Sequence, residues 1–225
     1  MKNKKFKILL VDDHPIVRER LAELINQQAD LVVTGDCGDA AECWQLIANQ
    51  LPDLAMVDLS LKTTPGLDLI KDLQSRYPKL PVLVLTMHDE VLYAERALRA
   101  GARGYVTKQE DTPVILTAIR RVLAGELFVS ELLARQLVGA LINGSGTGAD
   151  QHAVFLKQLT DRELEVFQLL GQNRTTRQIA ERLRIDIKTV ETYQARLKEK
   201  CQVTSLNDLR RYAVAVRENP TKKSG

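Results

Sequence analysis

The chain has 225 residues, with 32 Lys and Arg against 29 Asp and Glu, a net charge of +3. At about 150 residues per domain this length suits one large or two small domains. An apolar content of 44% is enough for packed cores and excludes wholesale disorder. No stretch approaches the ~18 consecutive apolar residues of a membrane span, so no membrane association is expected. The opening MKNKKFKILLVDD has an apolar run of only four residues before Asp12 and Asp13. That reads as a strand, because an export signal needs an apolar region of about 7–15 residues. Cys37, Cys43 and Cys201 form an odd set without CxxC spacing, which argues against disulfides or zinc and fits a reducing cytoplasm. His14, His88 and His152 are scattered and form no metal-ligand pair.

Along the first half, short apolar runs at 6–11, 31–34, 54–57, 82–85 and 104–107 alternate with amphipathic stretches at 16–26, 40–49, 67–76, 91–100 and 113–123. Continuous apolar strands are buried on both faces. The expected fold is therefore α/β, a doubly wound five-stranded parallel sheet with helices on both sides. Asp111 before Thr112-Pro113 reads as a helix cap, and Gly101 and Gly125 as helix ends.

Ligands of such sheets bind beyond the carboxyl ends of the strands. Those ends carry Asp12-Asp13, Asp58, Thr86 and Lys108. Three crowded carboxylates repel one another, and Mg²⁺ suits hard oxygen ligands that leave room for phosphate oxygens. With that charge screened, one carboxylate can attack phosphorus and form an aspartyl phosphate. Asp58 is the best nucleophile candidate, with Asp12 and Asp13 placed to hold the metal. Lys108 and Thr86 are placed to hold phosphoryl oxygens. The bland alternative makes each Asp a helix or loop cap.

Charge is uneven along the chain. Residues 1–152 hold 17 basic and 20 acidic side chains, a net of −3, whereas 153–225 hold 15 and 9, a net of +6. A small basic segment behind an acidic one suggests a nucleic-acid-binding module. The Gly/Ser/Thr run at 143–150 reads as a linker, and 218–225 as a polar tail. From Leu156 onward the pattern is helical, giving a smaller all-α domain. Thr160-Asp161-Arg162-Glu163 is a capping box opening a helix whose Leu164, Phe167 and Leu170 share one face and which Gly171 stops. A helix at 176–183, a turn at 184–187 and a helix from about 188 to 200 suit a helix-turn-helix, followed by a helix opened at Ser205 and running through 215. On the third helix Val190 and Leu197 face the core. Lys188, Thr189, Glu191, Thr192, Ala195 and Lys198 are left outside, where they can meet base edges and phosphates of double-stranded DNA.

These motifs carry a family resemblance. Val11-Asp12-Asp13-His14-Pro15, Val57-Asp58-Leu59-Ser60-Leu61, Leu85-Thr86-Met87-His88 and Gly104-Tyr105-Val106-Thr107-Lys108 together resemble the flavodoxin-like receiver of bacterial response regulators. The stretches 159–166, 178–183 and 188–192 resemble the LuxR/FixJ-type DNA-binding domain. The resemblance implies a receiver at 5–125, a helical and Gly-rich linker at 126–155 and a LuxR-type helix-turn-helix at 156–217. It implies Asp58 as phosphoacceptor, Asp12, Asp13, Asp58 and the Ser60 backbone carbonyl as Mg²⁺ ligands, Thr86 and Lys108 as phosphoryl contacts, and Tyr105 as a switch aromatic. Helix 176–183 becomes the scaffold and 188–200 the recognition helix, with Glu191, Thr192 and Ala195 where family members touch bases. The implied partners are a sensor histidine kinase, promoter DNA and a second copy of the chain. Lys62 and Gln109 stand where many receivers have proline, and Tyr193 and Cys201 where histidine and leucine are common in the DNA-binding domain. The expected function is a phosphorylation-controlled transcription regulator, not an enzyme. The alternatives are a regulator with a relict receiver, and a Mg²⁺-dependent phosphatase or phosphotransferase, whose signature of two aspartates with one residue between them is missing here because Asp12 and Asp13 are adjacent.

Overall fold

The computed structural model describes residues 5–61, 64–131, 133–135, 155–156 and 158–218. The chain divides into two compact units, 1–138 and 139–225. The Gly/Ser/Thr run at 143–150, the tail from 219, Lys62 and His152 lie outside the described residues.

In the first unit β1 (Phe6–Val11), β2 (Leu31–Cys37), β3 (Leu54–Val57), β4 (Val82–Thr86) and β5 (Gly104–Thr107) alternate with α1 (Pro15–Asn26), α2 (Ala40–Asn49), α3 (Gly66–Arg76), α4 (Glu90–Arg99) and α5 (Thr112–Leu123). All four strand pairings are parallel, in the order β2-β1-β3-β4-β5. Period-2 alternation sends Ile8, Leu10, Leu54, Met56, Leu83 and Leu85 into a core closed by Leu21 and Ile25 of α1 and Ile115 and Ile119 of α5. The opposite-facing Leu9, Val11, Ala55, Val57 and Val84 are buried as well, so the sheet is covered on both sides.

Two strands extend past their apolar runs. β2 continues through Gly35 and Asp36 to Cys37, because it is an edge strand whose outer positions can be polar while its backbone still pairs with β1. β4 takes in Thr86, which pairs with Thr107 of β5. Gly101 and Gly125 do end helices, with φ of 110° and 85°. Asp111 occupies the N-cap of α5 but makes no side-chain cap bond; the first-turn proline already fixes the backbone there.

The second unit holds α6 (Asp161–Gly171), α7 (Thr176–Leu183), α8 (Ile187–Cys201) and α9 (Leu206–Glu218). The capping box at Thr160 and Glu163 is formed, and Thr175 with Gln178 makes a second one at α7. Leu164, Phe167, Leu170, Ile179, Val190 and Leu197 meet in one core. Phe155, Phe167 and Tyr212 pack edge to face, with centroids 5.4–5.9 Å apart. The helix α6 ends at Gly171, as its sequence position suggested, but this glycine is not the left-handed residue of the turn. It is the last helical residue, and a Cβ there would sit 2.8 Å from the Ala213 carbonyl oxygen, so it admits close approach of α9. The left-handed residue that turns the chain away is Asn173, with φ of 58°, and Arg184 and Gln202 do the same after α7 and α8. No helix among the described residues is long and apolar enough to cross a membrane.

Candidate functional site

In a 2-1-3-4-5 sheet the chain reverses direction between β1 and β3, opening a crevice at their carboxyl ends. Asp12 and Asp13 follow β1 there and Asp58 follows β3. The Asp58 amide donates to the Val11 carbonyl at 2.8 Å and that of Asp12 to Cys37 at 3.0 Å, so ladder bonds fix both backbones. Carboxylate oxygens of Asp12, Asp13 and Asp58 and a ring nitrogen of His14 lie within 4.8 Å of one another. Asp12 and Asp58 are each only 3% exposed. The loop beyond Asp58 closes tightly on α3: a Cβ on Gly66 would lie 2.2 Å from the Asp58 carbonyl oxygen, so only glycine fits.

Lys108, just past β5, reaches into this cluster. Its ammonium lies 2.5 Å from Asp12 Oδ2 and 2.7 Å from Asp58 Oδ2. Burial, the largest single influence, favours the neutral amine. The two carboxylates together outweigh it and hold the lysine above its ordinary value. Asp12 Oδ1 accepts from the His14 amide at 2.9 Å, and Arg18 Nη1 donates to the Asp12 carbonyl at 2.5 Å, bracing the turn into α1. The N-cap of α1 is His14, not either aspartate, which disposes of the capping alternative for Asp12 and Asp13. Asp58 Oδ1 does accept the Ser60 amide, though at a long 3.3 Å.

Asp13 Oδ1 is different. His14 Nδ1 lies 2.7 Å away but is not aligned as a donor, so this buried oxygen has no hydrogen-bond partner. An orphaned acceptor beside two further carboxylates leaves three negative charges facing one ammonium. Such a set of hard oxygens fits a small divalent cation, with Mg²⁺ the natural match.

Thr86 is fully buried at the end of β4; its hydroxyl accepts the His88 amide at 3.4 Å and its carbonyl accepts the Lys108 amide at 2.8 Å. Tyr105 points inward with its hydroxyl donating to the His88 carbonyl at 3.0 Å. Burial, with Asp89, Glu90 and Asp58 nearby, pushes its phenol well above the usual range. His88 therefore binds Thr86 and Tyr105 through its backbone. Its ring Nε2 meets Ser60 Oγ at 2.9 Å and stacks on Tyr93 at 4.3 Å. Sequence spacing gives His88 no metal-ligand partner, and nothing in it signals a contact 28 positions away.

In the second unit α8 presents Lys188, Glu191, Thr192 and Ala195 as exposed residues, while Thr189 and Lys198 are half-buried. Its other face is anchored by Val190 and Leu197, and by buried Gln194 donating to Thr176 Oγ1 of α7 at 3.1 Å. That bond, absent from the sequence reading, fixes the angle between the two helices. Lys200 at the end of α8 pairs with buried Glu163 at 2.6 Å and donates to the Gln158 carbonyl at 3.1 Å.

Comparison with known proteins agrees with both halves. Residues 8–120 match the response regulator receiver domain and residues 157–213 the bacterial regulatory proteins of the luxR family. The transcriptional activator protein ExaE of Pseudomonas putida is 38% identical over 207 residues, 92% of this chain and 95% of the relative. The oxygen regulatory protein NreC of Staphylococcus carnosus is 30% identical over 209 residues, covering 92% and 96%. Among solved structures, RcsB from Salmonella enterica serovar Typhimurium, bound to promoter rprA with the phosphomimetic BeF3⁻, aligns with a TM-score of 0.61 at 25% identity, covering 94% of this chain and 99% of that one. With a receiver fold around an acidic pocket, a helix-turn-helix behind it and relatives matching along nearly the whole length, the chain belongs to the two-component response regulators of the NarL/FixJ type, a receiver followed by a LuxR-type DNA-binding domain.

Proposed function

We propose that this response regulator is controlled by phosphorylation of Asp58 and in that state binds promoter DNA. The observation that carries the proposal is the buried pocket in which Asp12, Asp13 and Asp58 crowd within 4.8 Å and Lys108 bridges two of them. A crowded acidic pocket with one basic bridge costs stability, and it is suited to receiving a phosphoryl group. The donor is a phosphohistidine on a sensor histidine kinase. An Asp58 carboxylate oxygen attacks phosphorus, the P–O bond forms as the P–N bond breaks, and imidazole leaves. Asp12, Asp13, Asp58 and the Ser60 carbonyl would hold Mg²⁺, which neutralises charge on the phosphoryl oxygens. Lys108, released from bridging two carboxylates, keeps one and turns to a phosphoryl oxygen. The Thr86 hydroxyl has only a long 3.4 Å bond to give up for another. Because the His88 backbone joins Thr86 to Tyr105, a move of Thr86 is felt at the aromatic.

In this reading the domains run over 5–125 and 156–217, with 126–155 as linker. The regulator works in the cytoplasm, where Cys37, Cys43 and Cys201 remain thiols. It acts as a homodimer on paired half-sites, with Lys188, Thr189, Glu191, Thr192, Ala195 and Lys198 toward DNA. It is a switch and not a turnover enzyme. The RcsB complex, with promoter DNA and a phosphomimetic together, supports this order of events. The test is fluorescence anisotropy on promoter DNA with and without a small phosphodonor and Mg²⁺. Affinity should rise on phosphorylation and not in Asp58→Asn; no gain in either would leave the receiver a relict, and equal gain in both would place the phosphoryl group elsewhere than Asp58.

A further inference from the structure

The exposed face of α8 carries an unusual combination for a surface meant to meet DNA. Lys188, Glu191, Thr192 and Ala195 stand at i, i+3, i+4 and i+7 and share one face, opposite the buried Val190, Gln194 and Leu197. The centre of that face is thus a carboxylate and two small side chains. Arg196, exposed one turn beyond Thr192, lies over the Tyr193 ring at 6.0 Å from its centroid, so none of the long amide or guanidinium groups that usually read purines stands among these four positions. Two details sharpen its chemistry. The Thr192 hydroxyl donates to the Lys188 carbonyl at 2.9 Å, so its proton is committed to its own helix and what it offers a ligand is the methyl, with an acceptor oxygen beside it. Glu191 makes no ion pair or hydrogen bond among the described residues, so its carboxylate comes to the DNA with no cation of its own.

A bare carboxylate among phosphates weakens binding unless a donor meets it. Two donors face the major groove, the exocyclic amines of cytosine and adenine. On adenine the amine stands beside the N7 acceptor, whose lone pair repels a carboxylate, whereas cytosine offers its amine without that neighbour. The methyl groups of Thr192 and Ala195 match the C5-methyl of thymine and no other base edge. Resting on the reading of α8 as the DNA-entering helix, we infer that this face selects half-sites with a cytosine read by Glu191 next to a thymine packed on Thr192 and Ala195. Lys188, on the same face, holds phosphate.

The experiment is selection from a randomised duplex pool by the full chain, treated with phosphodonor and Mg²⁺, followed by sequencing. Wild type, Glu191→Gln, Thr192→Ser and Thr192→Val run in parallel. The wild type should enrich one strongly cytosine position per half-site. Glu191→Gln should lower that selectivity about tenfold and move it toward adenine, because an amide can both donate to N7 and accept from the amine. Thr192→Val keeps the methyl and should retain the adjoining thymine, whereas Thr192→Ser should lose it. Uracil in place of that thymine should weaken wild type and leave Thr192→Ser unaffected. A motif unchanged in Glu191→Gln, or identical for Val and Ser at 192, overturns the inference while leaving DNA binding intact. A wild type that enriches no sequence at all overturns the DNA-binding reading and this inference with it.

Discussion

Replacing Asp13 by Asn should stabilise the receiver without metal and remove its response to Mg²⁺. Asp13, Asp12 and Asp58 have ligand oxygens within 4.8 Å, and at that separation a pair of like charges repels by ~3 kcal/mol at an effective dielectric of about 20. Asp13→Asn abolishes two such repulsions and gives up one attraction to the Lys108 ammonium. It also loses the His14 contact, which is minor because that side chain is 57% exposed. The remainder is about 3 kcal/mol as an upper bound, and screening through the pocket mouth brings the expected gain to about 1–2 kcal/mol. The amide also supplies donors where Asp13 Oδ1 now has none. Mg²⁺ binding only the native state should stabilise wild type by about 2.7 kcal/mol at 100 times its Kd, and the variant hardly at all. The order of stability therefore reverses between EDTA and Mg²⁺. The chain has a single tryptophan, Trp44, on α2 with Arg76 4.5 Å over its ring, so urea unfolding followed by its fluorescence reports the receiver alone. A variant no more stable than wild type in EDTA, or equally stabilised by Mg²⁺, would refute the reasoning.

Lys200→Met should destabilise the second unit by about 2–3 kcal/mol at neutral pH, measured by circular dichroism in urea, because it leaves Glu163 buried and unpaired. Burial, the largest influence on Glu163, raises its pKa, but Lys200 and the Thr160 amide together hold it below the ordinary value. That contribution is complete above the unfolded carboxylate pKa of about 4.3 and is lost as pH falls through the lower folded value, so Glu163→Gln should flatten stability across that acid window. Gly171→Ala should cost about 1–3 kcal/mol in the same assay despite alanine's better helix propensity, because its Cβ meets the Ala213 carbonyl at 2.8 Å. Gly66→Ala should disrupt the loop that carries Asp58 and so abolish phosphoryl uptake, read by intact mass.

What was legible from sequence was what depends on short-range pattern. Apolar runs gave the strands, and placing Asp12, Asp13, Asp58, Thr86 and Lys108 at their ends gave the pocket, because a parallel sheet brings carboxyl ends together. The reach of β2 through Gly35 and Asp36 was hidden, since pairing on one side only imposes no apolar pattern. The helix end at Gly171 was legible, but its packing role was not, because a glycine that ends a helix and one that lets a second helix approach look alike without the partner; Asn173 supplies the left-handed turn. His88, Arg18 and Gln194 act through partners 28, 6 and 18 positions away, and only folding brings those together.

The account turns on Asp58 as the group that takes phosphate. Purified chain incubated with a small phosphodonor, with Mg²⁺ or with EDTA, and then read by intact mass and peptide mapping, tests this most directly. The expected result is one phosphoryl group per chain, on Asp58, only when Mg²⁺ is present. Phosphate on another residue, or the same uptake in Asp58→Asn, would contradict it.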